Sequence, residues 1–396
     1  MSTEIKFGID RLIKNVSNEY KRGSWGLVTN DAARLAGDSD QYSRKAMADA
    51  GVSLSQLFSP EHGIKGTEDD GNAVDHQIDS ITGLNVYSLY GATLKPPESI
   101  MRELDGIFFD IPDIGARFYT YLWSLSSVME ACAESGTKLI VLDRPNPLGG
   151  DFNQCEGPLL DTNNCASYLG RAPMPVRHSL TPGEFSKWLK SKWQLDLELE
   201  VIPATGWNRN MMWPDTELPF IPTSPSMPGF DSVLCYPGTC FFEATNMSVG
   251  RGTDQPFRQV GAPWLNPVPV LSLLNSFDLP GVTWESTMFT PEISVYRDES
   301  CKGVSLRVTD RNTFRPVLSG LTLLAVIRKL YASKFQWSKY PTVANPTGKN
   351  HFELLLGQYS WRKTLEEDPE RFIDELPQRL SVDSWKDEAG EYLIYK

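Results

Sequence analysis

Short apolar runs alternating with helix-patterned stretches constrain the first two hundred residues more than any other feature. Strands are expected at Trp25–Thr29 (WGLVT), Ser55–Ser59, Asn85–Tyr90, Gly106–Ile111 (GIFFDI) and Lys138–Leu142 (KLIVL). Between them, helices are expected at Asp40–Ala50, Pro97–Leu104 and Arg117–Ser135, the last stopped by Gly136. A further helix starts at Thr181-Pro182-Gly183-Glu184, where Thr can cap and Pro fits the first turn, and a strand at Leu195–Ile202 follows it. Buried strands alternating with helices are the pattern of an α/β fold with a doubly wound parallel sheet.

The second half reads differently. Trp213–Pro228 (WPDTELPFIPTSPSMP) is too rich in proline for a regular helix or a central strand, yet its Trp, Phe and Ile content argues for an ordered connection. A boundary near residue 205 therefore divides the chain into 1–205 and 206–396. Beyond it, strands are expected at Glu292–Tyr296 and Val304–Thr309 and a helix at Leu318–Ser333. The last segment, Asp368–Lys396, reads as helical and then extended.

Charge narrows the function. With 38 Lys and Arg against 50 Asp and Glu the net charge is −12, and no basic run is present, which argues against a nucleic-acid partner. No stretch approaches the ~20 apolar residues of a membrane span. The N-terminus lacks the apolar core of a signal peptide, so a cytoplasmic location is expected, or a periplasmic or secreted one if a leader was trimmed. Six cysteines without a C-x-x-C pair read as reduced thiols, and four scattered histidines offer little for a metal site.

In open parallel sheets, ligands bind beyond the carboxyl ends of the strands. Reading past each expected strand end collects Asn30-Asp31, then Ser59-Pro60-Glu61-His62-Gly63. The later strands add Asp110, Pro112, Asp113, Gly115 and Arg117, and Asp143-Arg144-Pro145-Asn146-Pro147. Glu61, on a turn constrained by Pro60 and Gly63, is the sharpest single candidate for a general acid; its bland alternative is an ion pair with Lys65 or Arg117. A second polar cluster runs from Tyr236 to Phe257. It holds Glu243, Asn246, Arg251 and Thr253, with one guanidinium able to grip a carboxylate. There is no G-x-G-x-x-G after a strand, no P-loop, no G-x-S-x-G elbow and no H-E-x-x-H, so no cofactor is indicated. Cys240 has no recognisable histidine partner and reads as structural. Carboxylates together with 11 Trp and 14 Tyr suit glycoside chemistry, where an acid serves the leaving oxygen and aromatic faces pack on sugar rings.

Several long motifs then add a resemblance. SPEHGIKG (Ser59–Gly66), the run Asp110–Tyr121, DRPNPLGG (Asp143–Gly150), EGP (Glu156–Pro158) and FEATNMSVGRGTDQPF (Phe242–Phe257) resemble the YbbC/NamZ family of exo-β-N-acetylmuramidases, in the family's order and over nearly the whole chain. The resemblance implies a Rossmann-like domain without a nucleotide, a smaller C-terminal α/β domain and an active cleft between them. It also implies release of N-acetylmuramic acid (MurNAc) from the non-reducing end of β-1,4-linked MurNAc-GlcNAc chains in peptidoglycan, with Glu61 as the catalytic glutamate. Glu243 is the candidate second carboxylate, and Arg251 the candidate partner of the MurNAc lactyl carboxylate. Asn30, His62, Asp113, Arg117, Tyr119, Asp143, Arg144, Asn146, Asn246 and Thr253 complete the candidate substrate-binding set. Two other functions stay open on the sequence: a muropeptide or acidic-sugar binding protein without catalysis, and a metal-dependent phosphohydrolase on the Asp-rich rim.

Overall fold

The computed structural model describes residues 4–68, 71–72 and 77–396. The first half is built on a seven-stranded sheet, ordered β3-β4-β2-β1-β5-β6-β7. Its strands are β1 (Trp25–Thr29), β2 (Leu54–Ser59), β3 (Gln77–Ile78), β4 (Asn85–Ser88), β5 (Gly106–Asp110), β6 (Lys138–Leu142) and β7 (Leu199–Ile202). Only the β3–β4 pair is antiparallel. Strands β1 and β5 are buried at every position, as their apolar sequences require of a sheet covered on both faces. The order reverses at β1, so the loops leaving β1 and β5 splay apart and open a crevice at the carboxyl rim. Of the strand expected at Leu195–Ile202, the last four residues pair; Gln194, just ahead of it, is left-handed (φ 52°).

Local sequence sets the helices on this rim. Helix Pro182–Lys192 begins with a reciprocal cap: the Thr181 hydroxyl accepts from the Glu184 amide, and the Glu184 carboxylate accepts from the Thr181 amide. Helix Tyr121–Ser135 starts four residues later than its apolar spacing suggests, and Gly136 ends it at φ 71°. The withheld residues, Arg117–Thr120, stay irregular because their polar groups are committed elsewhere.

The second half carries a three-stranded antiparallel sheet, ordered β8-β10-β9, of β8 (Gln259–Ala262), β9 (Val282–Phe289) and β10 (Cys301–Val308). Helix Pro316–Leu330 is buried over most of its length up to Ile327, and Pro369–Arg379 and Asp383–Ala389 follow. The strand expected at Glu292–Tyr296 is instead a run of turns. Ser294 and Tyr296 sit at φ 69° and 62°, which no strand tolerates, and the Asp298 amide closes on the Pro291 carbonyl at 2.8 Å. The alternating run VTWESTMF forms β9, the strand that pattern reading passed over.

The proline-rich connection is ordered. Trp213 packs on Phe7 and Phe220 (ring centroids 6.2 and 5.9 Å apart), and its amide donates to the Pro147 carbonyl. Farther along, Thr223 accepts from two tyrosines: Tyr119 on its hydroxyl and Tyr121 on its carbonyl, both at 2.7 Å. The segment thus lies across the crevice between β1 and β5, whose walls include Phe7, Pro112, Trp213 and Phe220. All six cysteines are free and buried, and no helix among the described residues is long and apolar enough to cross a membrane.

Two buried ionisable groups tie distant segments to this framework. The Tyr395 hydroxyl donates to Asp143 at 2.7 Å, joining the chain's last residues to the end of β6; burial pushes the Asp143 carboxyl up to about 7. Arg117, wholly buried, donates to the carbonyls of Pro158, Met174 and Leu355 at 2.9, 2.9 and 2.6 Å. Burial pushes its guanidinium down to about 9, so it is still a cation at neutral pH. Replacing it removes the donor from three buried carbonyls; Met174 keeps the Leu160 amide at 3.2 Å, while the other two are stranded at a cost of about 1–3 kcal/mol each. Arg117→Met is therefore expected to destabilise the fold by about 3 kcal/mol or more, read as a fall in the thermal midpoint; an unchanged midpoint contradicts the clamp.

Candidate active site

Glu61 follows β2 on a turn in which His62, Gly63 and Gly66 are all left-handed (φ 68°, 72° and 69°). For His62 that is an uncommon conformation, held by its surroundings. Its Nδ1 lies 2.8 Å from the Glu68 carbonyl, an acceptor, so Nδ1 carries the proton. The two oxygens of Glu61 are treated differently. Oε1 accepts from the Gly71 amide at 2.8 Å, and Oε2 accepts from the Thr120 hydroxyl at 2.5 Å. An amide can only donate, whereas a hydroxyl can reverse. The surroundings therefore accept both the ionised and the protonated carboxyl, with the proton on Oε2. Neither Lys65 nor Arg117 pairs with Glu61. The buried Tyr90 hydroxyl faces the same cleft and is pushed up by burial first and by Glu61 second.

Glu243 lies on the tight turn Cys240–Ala244 that follows helix Phe230–Thr239. Its Oε1 accepts from Arg251 Nε at 2.5 Å and from the Tyr340 hydroxyl at 3.4 Å, and its Oε2 accepts from the Cys240 thiol at 3.3 Å. Arg251 also donates to the Ser226 hydroxyl at 2.6 Å and stacks over Phe257. The flanking Gly250 and Gly252, at φ 74° and 77°, let the chain turn sharply on either side of it. The Cys240 thiol is pushed well up by burial and then by Glu243, so it is an S–H donor and no nucleophile.

Both glutamates line one cleft of about 480 Å³, together with His62, Tyr119 and Arg251. The other sequence candidates lie outside its lining and serve the loops around it. Asn30 donates to Tyr121 and accepts from the Ala32 amide. Asp113, on the wall of the crevice between β1 and β5, accepts from the Gly115 amide and stands 3.5 Å from His178. Arg144 holds Asp110 with two hydrogen bonds (2.6 and 3.0 Å), and Asp143 and Arg117 make the ties described above. Asn146 bridges Leu180 and Leu148, Asn246 bridges Lys334 and Gln336, and Thr253 donates to the Gly250 carbonyl. Short polar side chains in Pro- and Gly-rich turns resemble ligand-binding groups in sequence, but here they satisfy backbone groups. Among the described residues, no group of three or more His, Cys, Asp or Glu is placed to hold a metal ion.

Sequence reading missed Tyr340 and His351, which line the cleft from a segment about ninety residues beyond Arg251. Prolines and Gly348 mark KYPTVANPTGKN as turns, but nothing in it signals that it returns to the site. The His351 ring stacks on Tyr340 (centroids 4.8 Å apart, planes at 30°), and burial pushes its pKa down to about 4. A histidine depressed below its unfolded value of 6.5 adds stability above that pH, which is lost as the pH falls through about 4. The wild type is therefore expected to lose thermal stability between pH 6.5 and 4 more steeply than His351→Gln; parallel midpoint curves contradict this.

Comparisons with known proteins show the family. Residues 25–231 match the family model "Exo-beta-N-acetylmuramidase NamZ, N-terminal", and residues 234–395 match its C-terminal counterpart. The chain is 40% identical over 339 residues to the peptidoglycan beta-N-acetylmuramidase NamZ of Bacillus subtilis (strain 168), covering 84% of this chain and 80% of that protein. A DUF1343 family protein from Bacteroides fragilis has a similar structure (TM-score 0.86, 29% identity, 99% of both chains). A second from the same organism gives a TM-score of 0.76 at 26% identity, over 100% of this chain and 99% of that one. On the match of both halves, the chain belongs to the NamZ family of exo-beta-N-acetylmuramidases, which are glycosidases.

Proposed function

We propose that this protein releases MurNAc from the non-reducing end of β-1,4-linked MurNAc-GlcNAc peptidoglycan fragments, with Glu61 as general acid. The observation that carries this reading is the pairing, in one cleft, of two buried carboxylates with opposite electrostatic surroundings. Among the described residues Glu61 accepts from neutral donors, one of them reversible, and on this reading it holds a proton for the leaving glycosidic oxygen. Glu243 is bound to a guanidinium, Arg251 Nε lying 2.5 Å from its Oε1, and on this reading it serves as the carboxylate. An anion there opposes the positive charge that develops at the anomeric carbon, whether it attacks directly, activates water or steadies the sugar's own acetamido group. The sequence relationship to a named peptidoglycan beta-N-acetylmuramidase supports the substrate class.

Arg251 is the guanidinium on the cleft wall, and we assign to it recognition of the lactyl carboxylate that separates MurNAc from GlcNAc. Its bond to Glu243 couples recognition to the second carboxylate. On a chromogenic MurNAc glycoside, Glu61→Gln is expected to lower kcat by about 10²–10⁴ with the fold intact; near wild-type turnover would overturn the assignment. Arg251→Ala is expected to abolish the preference for MurNAc over GlcNAc glycosides. If both substrates weaken equally, Arg251 serves the fold alone.

A further inference from the structure

Among the polar side chains lining the cleft that the mechanism above does not use is His351. His351 opens helix His351–Leu356 and is 4% exposed, with its ring on the cleft wall. Its Nδ1 lies 3.3 Å from Asn345 Nδ2, and the amide's orientation follows from its other partners. Asn345 Nδ2 donates to the Lys349 carbonyl at 3.1 Å, and Oδ1 accepts from the Thr347 hydroxyl. The amide therefore presents a donor to His351, Nδ1 accepts it, and the single ring proton resides on Nε2. Asn345 stands outside the cleft lining and engages Nδ1, which leaves Nε2 as the ring's polar atom for the cleft; it has no hydrogen-bond partner among the described residues. The stack on Tyr340 fixes the plane of the ring. The result is an uncharged N–H donor on a ring held by its stack and lining the same cleft as the two carboxylates.

We propose that His351 Nε2 donates a hydrogen bond to the acetyl carbonyl of the 2-acetamido group of the bound sugar. Leu355, four residues on and on the same helix face, lines the cleft with Ala344 and supplies an apolar surface for the acetyl methyl group. A neutral donor suits a neutral carbonyl; the substrate's carboxylate has its guanidinium elsewhere in the cleft. The proposal rests on the reading of the site as a MurNAc cleft and adds to it a residue that selects 2-acetamido sugars. His351 is thus a binding residue for the substituent and plays no part in proton transfer.

The test compares two substrates, a MurNAc aryl glycoside and its analogue with hydroxyl in place of the 2-acetamido group, in wild type, His351→Phe and His351→Gln. Phe keeps the stack on Tyr340 and removes the donor, whereas Gln returns an N–H near the position of Nε2. In wild type, the analogue is expected to lose about 10–100-fold in kcat/KM, the scale of one hydrogen bond to a substrate group in a closed site. In His351→Phe most of that ratio disappears, through a higher KM for the MurNAc glycoside, and His351→Gln recovers at least part of it. A wild-type discrimination ratio in His351→Phe overturns the proposal, as does an equal loss on both substrates in both variants. If wild type cleaves neither glycoside, the hydrolase reading fails instead. The same comparison is then made by titrating MurNAc and its 2-hydroxy analogue against tryptophan fluorescence, and equal affinity ratios in wild type and His351→Phe refute the role of His351.

Discussion

A single buried cation organises the approach to the cleft. Among the described residues Arg117 pairs with no carboxylate; its charge is dispersed over three peptide carbonyls from the segments around Pro158, Met174 and Leu355. A desolvated guanidinium is costly unless hydrogen-bonded, and its two terminal nitrogens find their acceptors by bringing those segments to one point. The same demand keeps Arg117–Thr120 out of the helix that follows. Thr120 is thereby available to Glu61, Tyr119 reaches the cleft, and Leu355 places the helix that bears His351 on the opposite wall. Gly357 shows how closely the packing is set: a Cβ there would lie 2.7 Å from the Arg117 guanidinium. The cleft's two walls are therefore referred to one atom group, which is how a site assembled from the ends of a long chain can be held to the tolerance that bond cleavage needs.

The electrostatic division of labour follows from what each half of the chain can place near a carboxylate. The first half, at the rim of a parallel sheet, offers backbone amides and a hydroxyl. The second offers an arginine on a glycine-bracketed turn, steadied by Ser226 from the proline-rich connection. Neither environment could be exchanged for the other without changing which oxygen carries a proton. The global charge of −12 has little bearing on this, since a cation 2.5 Å away outweighs a diffuse surface field inside a cleft.

Much of this was legible in the residues. The strands of the parallel sheet announce themselves through short apolar runs, and the Thr181–Glu184 cap through its spacing. Glu61 stands out because Pro60 and Gly63 constrain its turn, and Glu243 because it lies in a dense polar cluster within a family-like motif. What could not be read is of two kinds. Strand β9 and the turns at Glu292–Tyr296 were confused because alternation within five to eight residues does not report the sign of φ. Of the larger set, from Asn30 through Thr253, only His62, Tyr119 and Arg251 line the cleft with the two glutamates, and the sequence could not separate them from the rest, because a polar side chain that satisfies a loop's backbone and one that faces a cleft have the same sequence signature. Tyr340 and His351 carry the converse lesson: they reach the cleft only through tertiary return of the chain, to which local pattern is blind.

The path of the proline-rich connection has a thermodynamic consequence. By laying Trp213 and Phe220 against Phe7 at the reversal point of the sheet, the chain lines with its own side chains, and narrows, the place where folds of this class usually take a ligand. A segment tethered at both ends competes as an intramolecular ligand, at an effective concentration that a short linker sets in the millimolar range or above. Any free molecule bidding for that crevice must out-compete an occupant that cannot diffuse away.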